Sequence, residues 1–177
     1  MKNSILPIAI FVIALFSSLP VTAQEFKSLD KSPMDMAAFP SSYKISDKIV
    51  KVIYSRPQLK GRDLMKLAQP EKIWRTGANE AAEITFYKDV IFGGRALKAG
   101  TYSLFTIPSL DGDWTVIINE ARNVWGSYYY KQDQDVVRVS GKTSKADKSI
   151  EAFSMMFDKD MTLKMGWGKT VISVSIK

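Results

Sequence analysis

The sequence has no histidine and no cysteine among its 177 residues. These absences exclude Ser-His-Asp and Cys-His nucleophile pairs, and they also exclude the conventional zinc sites built from histidine and cysteine. Without cysteine there is no disulfide and no lipid anchor on a cysteine. The remaining chemistry belongs to carboxylates, lysine, tyrosine and hydroxyl groups. We therefore expect no metal and no cofactor, and we favour a protein that is not an enzyme.

Long runs of like charge are also missing, although the formal net charge is +7. Basic residues are scattered along the chain and mostly alternate with acidic ones. Nucleic-acid binding usually requires a clustered basic patch with interleaved aromatic residues. We therefore interpret the charge as a solvated basic surface and expect no nucleic-acid partner.

The longest apolar stretch covers residues 5–19 and follows the positively charged Lys2. The small residues Val21-Thr22-Ala23 come next, which is the pattern of a secretory signal peptide cleaved before Gln24. The stretch is shorter than the ~20 residues that a membrane-spanning helix needs. We expect residues 1–23 to be removed and the protein to be exported, either periplasmic or extracellular, with no membrane attachment after cleavage.

Short segments with period-two alternation fill most of the remaining chain. Residues 24–44 are punctuated by proline and serine and predict an extended lead-in. Residues 45–177 predict a single domain, in which only 61–69 has a helical pattern. Strands are predicted at 49–54, 83–87, 101–107, 114–118, 136–139, 151–157, 161–167 and 171–176. About eight short strands with little helix indicate an all-β fold, either an antiparallel β-sandwich or a flattened barrel.

The run Trp74-Arg75-Thr76-Gly77-Ala78-Asn79-Glu80 has the most distinctive chemistry of the chain. Arg75 offers a planar donor fork that suits a carboxylate or phosphate, and Gly77 permits close backbone approach. One interpretation is a polar ligand pocket with Trp74 as its apolar wall. The other, which we favour, is an internal brace in which Arg75 pairs with Glu80 or Glu83, because buried charges are normally paired.

Two further segments supply candidate binding residues. Arg56 follows a predicted strand end and either joins Arg75 in a basic pocket or pairs on the surface with Asp63 or Glu71. Trp125 begins the aromatic run 125–130, which either stacks on a sugar or closes the open end of the core; we favour closure.

Carboxylate catalysis is the one enzymatic route that the composition leaves open. Glu80 is the candidate acid or base, with Glu83 or Asp63 as its partner carboxylate. Glycoside hydrolysis requires two carboxyl groups at a defined separation, and the sequence spacing does not fix that separation here.

Several motifs together resemble the family named domain of unknown function 2911. The resemblance covers about residues 45–177. It implies an exported bacterial protein and marks the run 74–80 as a family signature, but it implies no catalytic residue. The motifs are Tyr54-Ser55-Arg56-Pro57, Gly61-Arg62, Trp74 to Ala81, Gly94, Leu97 to Pro108, Trp114-Thr115-Val116, Trp125-Gly126, Glu151-Ala152-Phe153 and Trp167-x-Lys169-Thr170.

The sequence leaves three functional hypotheses open. The first is a non-catalytic module that binds a small polar or anionic ligand or a glycan. The second is a carboxylate-dependent glycan hydrolase, and the third is a structural module without a ligand. The candidate binding residues are Arg56, Trp74, Arg75, Asn79, Glu80 and Trp125.

Overall fold

The computed structural model describes residues 25–177, so the predicted signal peptide lies outside the described part. The all-β prediction is confirmed, with nine strands and one short helix, α1 (Leu64–Leu67). The strands are β1 (Met34–Phe39), β2 (Val50–Ser55), β3 (Ala82–Phe86), β4 (Val90–Phe92), β5 (Arg95–Leu97), β6 (Gly100–Ile107), β7 (Trp114–Asn119), β8 (Asp135–Phe157) and β9 (Leu163–Val174).

Seven strands form one curled antiparallel sheet in the order β1-β2-β3-β6-β7-β8-β9, and β4 and β5 form a separate hairpin. The long strand β8 pairs first with β7 and then with β9, and its register with β9 shifts twice between Lys145 and Ser154. Such irregularities bend a strand and increase its twist. The second half of β8 therefore returns to the residues after β2, where the Phe153 amide donates to the Pro57 carbonyl over 2.9 Å.

The main core lies inside this curl and is rich in aromatic rings. The indole of Trp74 stacks on that of Trp167, with ring centroids 5.4 Å apart and an interplanar angle of 14°. Trp114 and Phe153 meet the Trp74 ring edge-on. All four side chains are buried. Trp74, the first residue of the run 74–80 that we call the signature run, therefore belongs to the core.

A second and smaller core lies on the opposite face of the sheet, against Phe105 of β6 and Ile117 of β7. Ile117 shares a face of β7 with Thr115, which is only half-buried. Ile117 is fully buried because a loop folds over this part of the sheet.

Several strand predictions change when the chain is folded. Strand β1 lies inside the predicted lead-in and pairs with β2 from Met34 opposite Ser55 to Phe39 opposite Val50. The separate strands predicted at 136–139 and 151–157 are parts of the single strand β8, and those predicted at 161–167 and 171–176 are parts of β9. Most residues between the two parts of β8 are polar and exposed, so local hydrophobicity gives little sign of their pairing.

The short helix begins as its sequence predicts. The Asp63 side chain accepts from the Met65 amide over 2.7 Å and caps the first turn. Within residues 25–177, no helix is long and apolar enough to cross a membrane.

Candidate functional site

The signature run is fixed to the edge of β6 by backbone hydrogen bonds. The Trp74 amide donates to the Thr106 carbonyl over 2.7 Å, and the Thr106 amide donates back to Trp74 over 2.9 Å. The buried Thr76 hydroxyl lies 3.3 Å from that of Thr106. The run therefore enters the sheet at a fixed position, with Trp74 and Thr76 facing inward.

The middle of the run passes against the end of β2. A Cβ atom on Gly77 would lie 3.1 Å from the Ser55 carbonyl oxygen, so glycine permits this close approach. Asn79 has a left-handed backbone conformation with φ of 60°. The chain then returns, and the Ala82 amide donates to the Arg75 carbonyl over 3.0 Å. The run is thus a compact turn that carries Arg75, Asn79 and Glu80 at the entrance to the sheet.

Arg75 is half-buried, and its Nε atom is inaccessible to solvent. Even so, this atom has no hydrogen-bond partner within residues 25–177. In the same part of the chain its guanidinium forms no ion pair, so the predicted pairs with Glu80 and Glu83 do not form. Glu83 instead accepts the Asn123 amide over 2.6 Å. The guanidinium reaches toward Gly126, where its Nη1 atom lies 3.9 Å from the position of a Cβ on that glycine.

The loop above Arg75 comprises residues 120–134, and we call it the aromatic loop. Its ends meet where the Glu120 amide donates to the Gln134 carbonyl over 3.0 Å. Three bonds attach its middle to the signature run and its flanks: Ala81 amide to Val124 carbonyl (3.0 Å), Gly126 amide to Asn79 carbonyl (2.9 Å) and Ser127 hydroxyl to Ile73 carbonyl (3.2 Å). A loop of this length with joined ends and its own packing is an Ω-loop, a type that is frequently functional.

The underside of the aromatic loop is held by Tyr130 and a buried carboxylate. The Tyr130 ring packs edge-on against Phe105 at 5.2 Å, and its hydroxyl donates to Asp135 over 2.6 Å. Asn119 and Arg138 donate to the same carboxylate over 2.8 and 2.9 Å. Burial and the bond to Asp135 raise the pKa of the Tyr130 hydroxyl above its ordinary value of 10. This network keeps the loop in one conformation.

The outer side of the aromatic loop exposes three large rings. Trp125, Tyr128 and Tyr129 are 56%, 79% and 74% exposed, although the loop that carries them is firmly anchored. Trp125 forms an isolated antiparallel bridge with Glu80, which is also exposed. Directly opposed residues in such a pair have Cβ atoms about 4.5–5.5 Å apart on one face. The indole and the Glu80 carboxylate therefore share a surface.

A cavity of about 240 Å³ opens beside this surface, between the signature run and the edge strands. Met34 and Ile53 line its floor, and Glu80, Glu83 and Asn123 are among the polar residues that line it. Both carboxylates therefore contact one small, largely apolar space.

Arg56 occupies a different environment from Arg75. Its guanidinium pairs with Asp35 at 3.0 Å and donates to the Ser154 hydroxyl and the Phe153 carbonyl over 2.8 and 3.1 Å. These bonds tie β1, β2 and β8 together where the sheet curls. The predicted surface partners of Arg56, Asp63 and Glu71, are replaced by Asp35, which lies in the strand that the sequence did not predict.

The fold therefore divides the six predicted binding residues. Arg75, Asn79, Glu80 and Trp125 meet at the aromatic loop, whereas Trp74 is part of the core and Arg56 is a brace between strands. Sequence reasoning found the aromatic run but missed the role of Asp135. In the sequence Asp135 looks like an ordinary turn residue, and only the fold brings Tyr130 and Asn119 to its carboxylate. Within residues 25–177, no cluster of three or more acidic side chains could hold a metal ion.

Comparison with known proteins gives a family but no activity. A family model described as "Protein of unknown function (DUF2911)" matches residues 32–176, which includes strand β1 and every residue of the site. No curated protein and no solved structure matches the chain.

Proposed function

The chain belongs to the DUF2911 family of unknown function, and we propose that it is a non-catalytic module that binds an acidic glycan at the aromatic loop. The ligand contacts Arg75, Asn79 and Glu80 of the signature run and Trp125 of the loop. The proposal includes export, with residues 1–23 acting as a cleaved signal peptide.

The observation that carries the proposal is the unpartnered guanidinium of Arg75. Charged groups away from water are normally paired, because an unpaired charge loses its hydration without compensation. Within residues 25–177 no carboxylate pairs with Arg75. Arg75 is only partly buried, so a ligand carboxylate or phosphate can pair with the accessible part of its guanidinium, and the planar fork suits both groups.

The aromatic rings support a sugar as the body of that ligand. Trp125, Tyr128 and Tyr129 present large apolar faces to solvent from a loop that is already ordered. A preformed surface binds more tightly than a mobile one because less conformational entropy is lost. Glu80 lies opposite Trp125. Its carboxylate can accept hydrogen bonds from the hydroxyl groups of a sugar that stacks on the Trp125 indole.

Titration with uronic acids tests this function, with D-galacturonic acid as the first probe and D-glucose as the uncharged comparison. Binding is followed by calorimetry and by the fluorescence of Trp125. Arg75→Ala should weaken binding by about tenfold or more, since a hydrogen bond to a charged group contributes about 1.5–3 kcal/mol. Arg95→Ala removes an exposed arginine from β5 and should leave the affinity unchanged.

The proposal fails if no uronic acid binds the wild-type protein, or if Arg75→Ala binds as tightly as wild type. Export has its own test, because the N-terminus of the protein recovered from the producing cells should be Gln24. An N-terminus at Met1 would contradict export through this signal.

A glycan hydrolase is the second candidate, because Glu80 and Glu83 line the same cavity. Incubation with acidic oligosaccharides should release shorter products if this candidate is correct, and Glu80→Gln should abolish the release while leaving the melting temperature near that of wild type. Intact oligosaccharides after prolonged incubation with wild type would support binding alone.

A further inference from the structure

Two neighbouring cavities lie along the lead-in, and the first of them adjoins the signature run. The first has a volume of about 560 Å³ and lies between residues 27–32 and Asn79. The second, of about 300 Å³, extends from Lys31 and Ser32 to the segment after β2. Lys31 and Ser32 line both cavities, so the two are neighbours on the surface, and together we call them the lead-in groove.

The lining of the lead-in groove is strongly basic. Lys27, Lys31, Lys60 and Arg62 line it, against the single carboxylate of Asp30. Asp30 is turned to its own backbone, where it accepts the Ser32 amide over 2.6 Å. The fold therefore brings Lys27 and Lys31 of the lead-in close to Lys60 and Arg62 of the segment after β2.

The end of the groove near Arg62 is held in position by backbone contacts. The Arg62 guanidinium donates from Nε to the Leu59 carbonyl over 2.9 Å and from Nη2 to the Gln58 carbonyl over 2.7 Å. The Lys60 amide donates to Glu151 over 2.7 Å, which ties this segment to β8. The Glu151 carboxylate is thus engaged by a backbone amide at this end of the groove.

The other end of the groove reaches the proposed glycan site through Asn79. Asn79 lines the larger cavity, and its carbonyl accepts the Gly126 amide over 2.9 Å. Gly126 is also the residue toward which the Arg75 guanidinium reaches. Basic side chains therefore line the groove from Arg62 through Lys31 to Lys27, and Asn79 at its end is bonded to Gly126, which lies beside Arg75.

We propose that the lead-in groove binds further units of a linear polyanionic glycan. One acidic sugar of this glycan occupies the Arg75 site. This inference rests on the proposed function and extends it from a single sugar to a chain. Repeated carboxylates along the polymer pair in turn with the groove cations. A cleft lined by charge of one sign also concentrates ligands of the opposite sign and accelerates their association.

A glycan is favoured over a nucleic acid because the groove lining lacks aromatic rings. The groove residues lining the two cavities carry no aromatic ring, whereas single-stranded nucleic acids are held largely by base stacking on such rings. The rings of the aromatic loop lie beyond Asn79, at the sugar site itself.

The test compares D-galacturonic acid with its linear α-1,4-linked hexamer, using the full chain. We expect the hexamer to bind about tenfold or more tightly at low salt, and we expect this gain to shrink as salt screens the charges. The double variant Lys31→Glu, Lys60→Glu should lose the gain and keep the wild-type affinity for the monomer. Lys88→Glu, Lys159→Glu makes the same charge change at exposed turns elsewhere and should keep the gain.

Each failure has a distinct signature. Equal affinity for monomer and hexamer, or a gain that survives Lys31→Glu, Lys60→Glu, would overturn the groove while leaving the Arg75 site intact. Failure of the monomer to bind, together with a lysine-dependent affinity for the hexamer, would overturn the Arg75 site and support the groove. A single-stranded DNA of equal charge that binds more tightly than the hexamer would overturn the assignment to a glycan.

Discussion

The molecule contains two regions with the same pair of residue types, an arginine and a tryptophan, in opposite situations. Where β1, β2 and β8 meet in the curled sheet, Arg56 bonds to three partners, and Trp74 is stacked in the adjoining core. Around the aromatic loop, Arg75 has no partner within the described residues and Trp125 is exposed. The first region holds strands together, and the second exposes its tryptophan on an anchored loop beside an arginine without an intramolecular partner in residues 25–177.

The comparison shows that residue type alone does not assign a role. Both arginines lie near the entrance or end of a strand, and both are suited to a carboxylate. What separates them is whether the fold supplies that carboxylate, as Asp35 does for Arg56. Four predictions test this contrast, beginning with the largest expected effect.

Trp74→Ala should lower the free energy of unfolding by about 3–5 kcal/mol, because it leaves a cavity among three other aromatic rings. Trp125→Ala removes a mostly exposed ring and should change the same quantity by less than about 0.5 kcal/mol. Urea denaturation followed by circular dichroism measures both. Similar losses for the two variants would contradict the division between core and surface.

Arg56→Ala should lower the free energy of unfolding by about 2 kcal/mol. The ion pair with Asp35 is partly exposed and contributes little, so most of the loss comes from the bonds to Ser154 and the Phe153 carbonyl. Arg56→Lys keeps the charge without the forked geometry and should recover only part of the loss. A loss below about 0.5 kcal/mol would show that Arg56 is not a brace.

Tyr130→Phe should cost about 1 kcal/mol at neutral pH, because one hydrogen bond to Asp135 is removed. The pKa of Tyr130 is higher in the folded protein than in the unfolded chain, so its stabilisation is fully present below pH 10 and is lost as the pH rises above 10. The alkaline loss of stability should therefore be shallower in Tyr130→Phe. The exposed Tyr128→Phe is the matched control, and an alkaline curve identical to wild type in both variants would contradict the assignment.

Arg75→Ala should have the smallest effect on stability, within about 0.5 kcal/mol of wild type, because no intramolecular partner is lost. Its effect should fall on ligand affinity instead. Chemical denaturation beside the titration with uronic acids separates the two quantities. A loss of several kcal/mol in the free energy of unfolding would mean that Arg75 is an internal brace. The two regions would then have the same role.

Much of the fold could be predicted from local alternation. The strands at β2, β3, β6 and β7 lie close to their predicted positions, and β3 buries alternate residues as its sequence predicts. Strand β1 was missed because only its pairing with β2 orders it, and all six of its residues are exposed or partly exposed. The length of β8 was missed for a related reason, since the register shifts and the polar middle interrupt the alternation.

The site was predicted in part for similar reasons. Arg75, Asn79 and Glu80 are close in the sequence, so the turn that carries them keeps them together. Trp125 joins them only through contacts about 45 residues away along the chain, and nothing local indicates that Glu80 is its partner. Arg56 was grouped with Arg75 on residue type, and the fold separates them by giving Arg56 its own carboxylate.

By itself, the sequence determined the class of chemistry and the class of fold. Absent histidine and cysteine exclude whole reaction types, and period-two burial requires strands, since both depend only on which residues are present and in what local order. The tertiary structure decided which arginine has an intramolecular partner, which tryptophan is exposed and which basic residues of the lead-in lie near Lys60 and Arg62. Those outcomes depend on partners distant in the chain, because a hydrogen bond or a buried contact forms only between groups that the fold brings within a few ångströms.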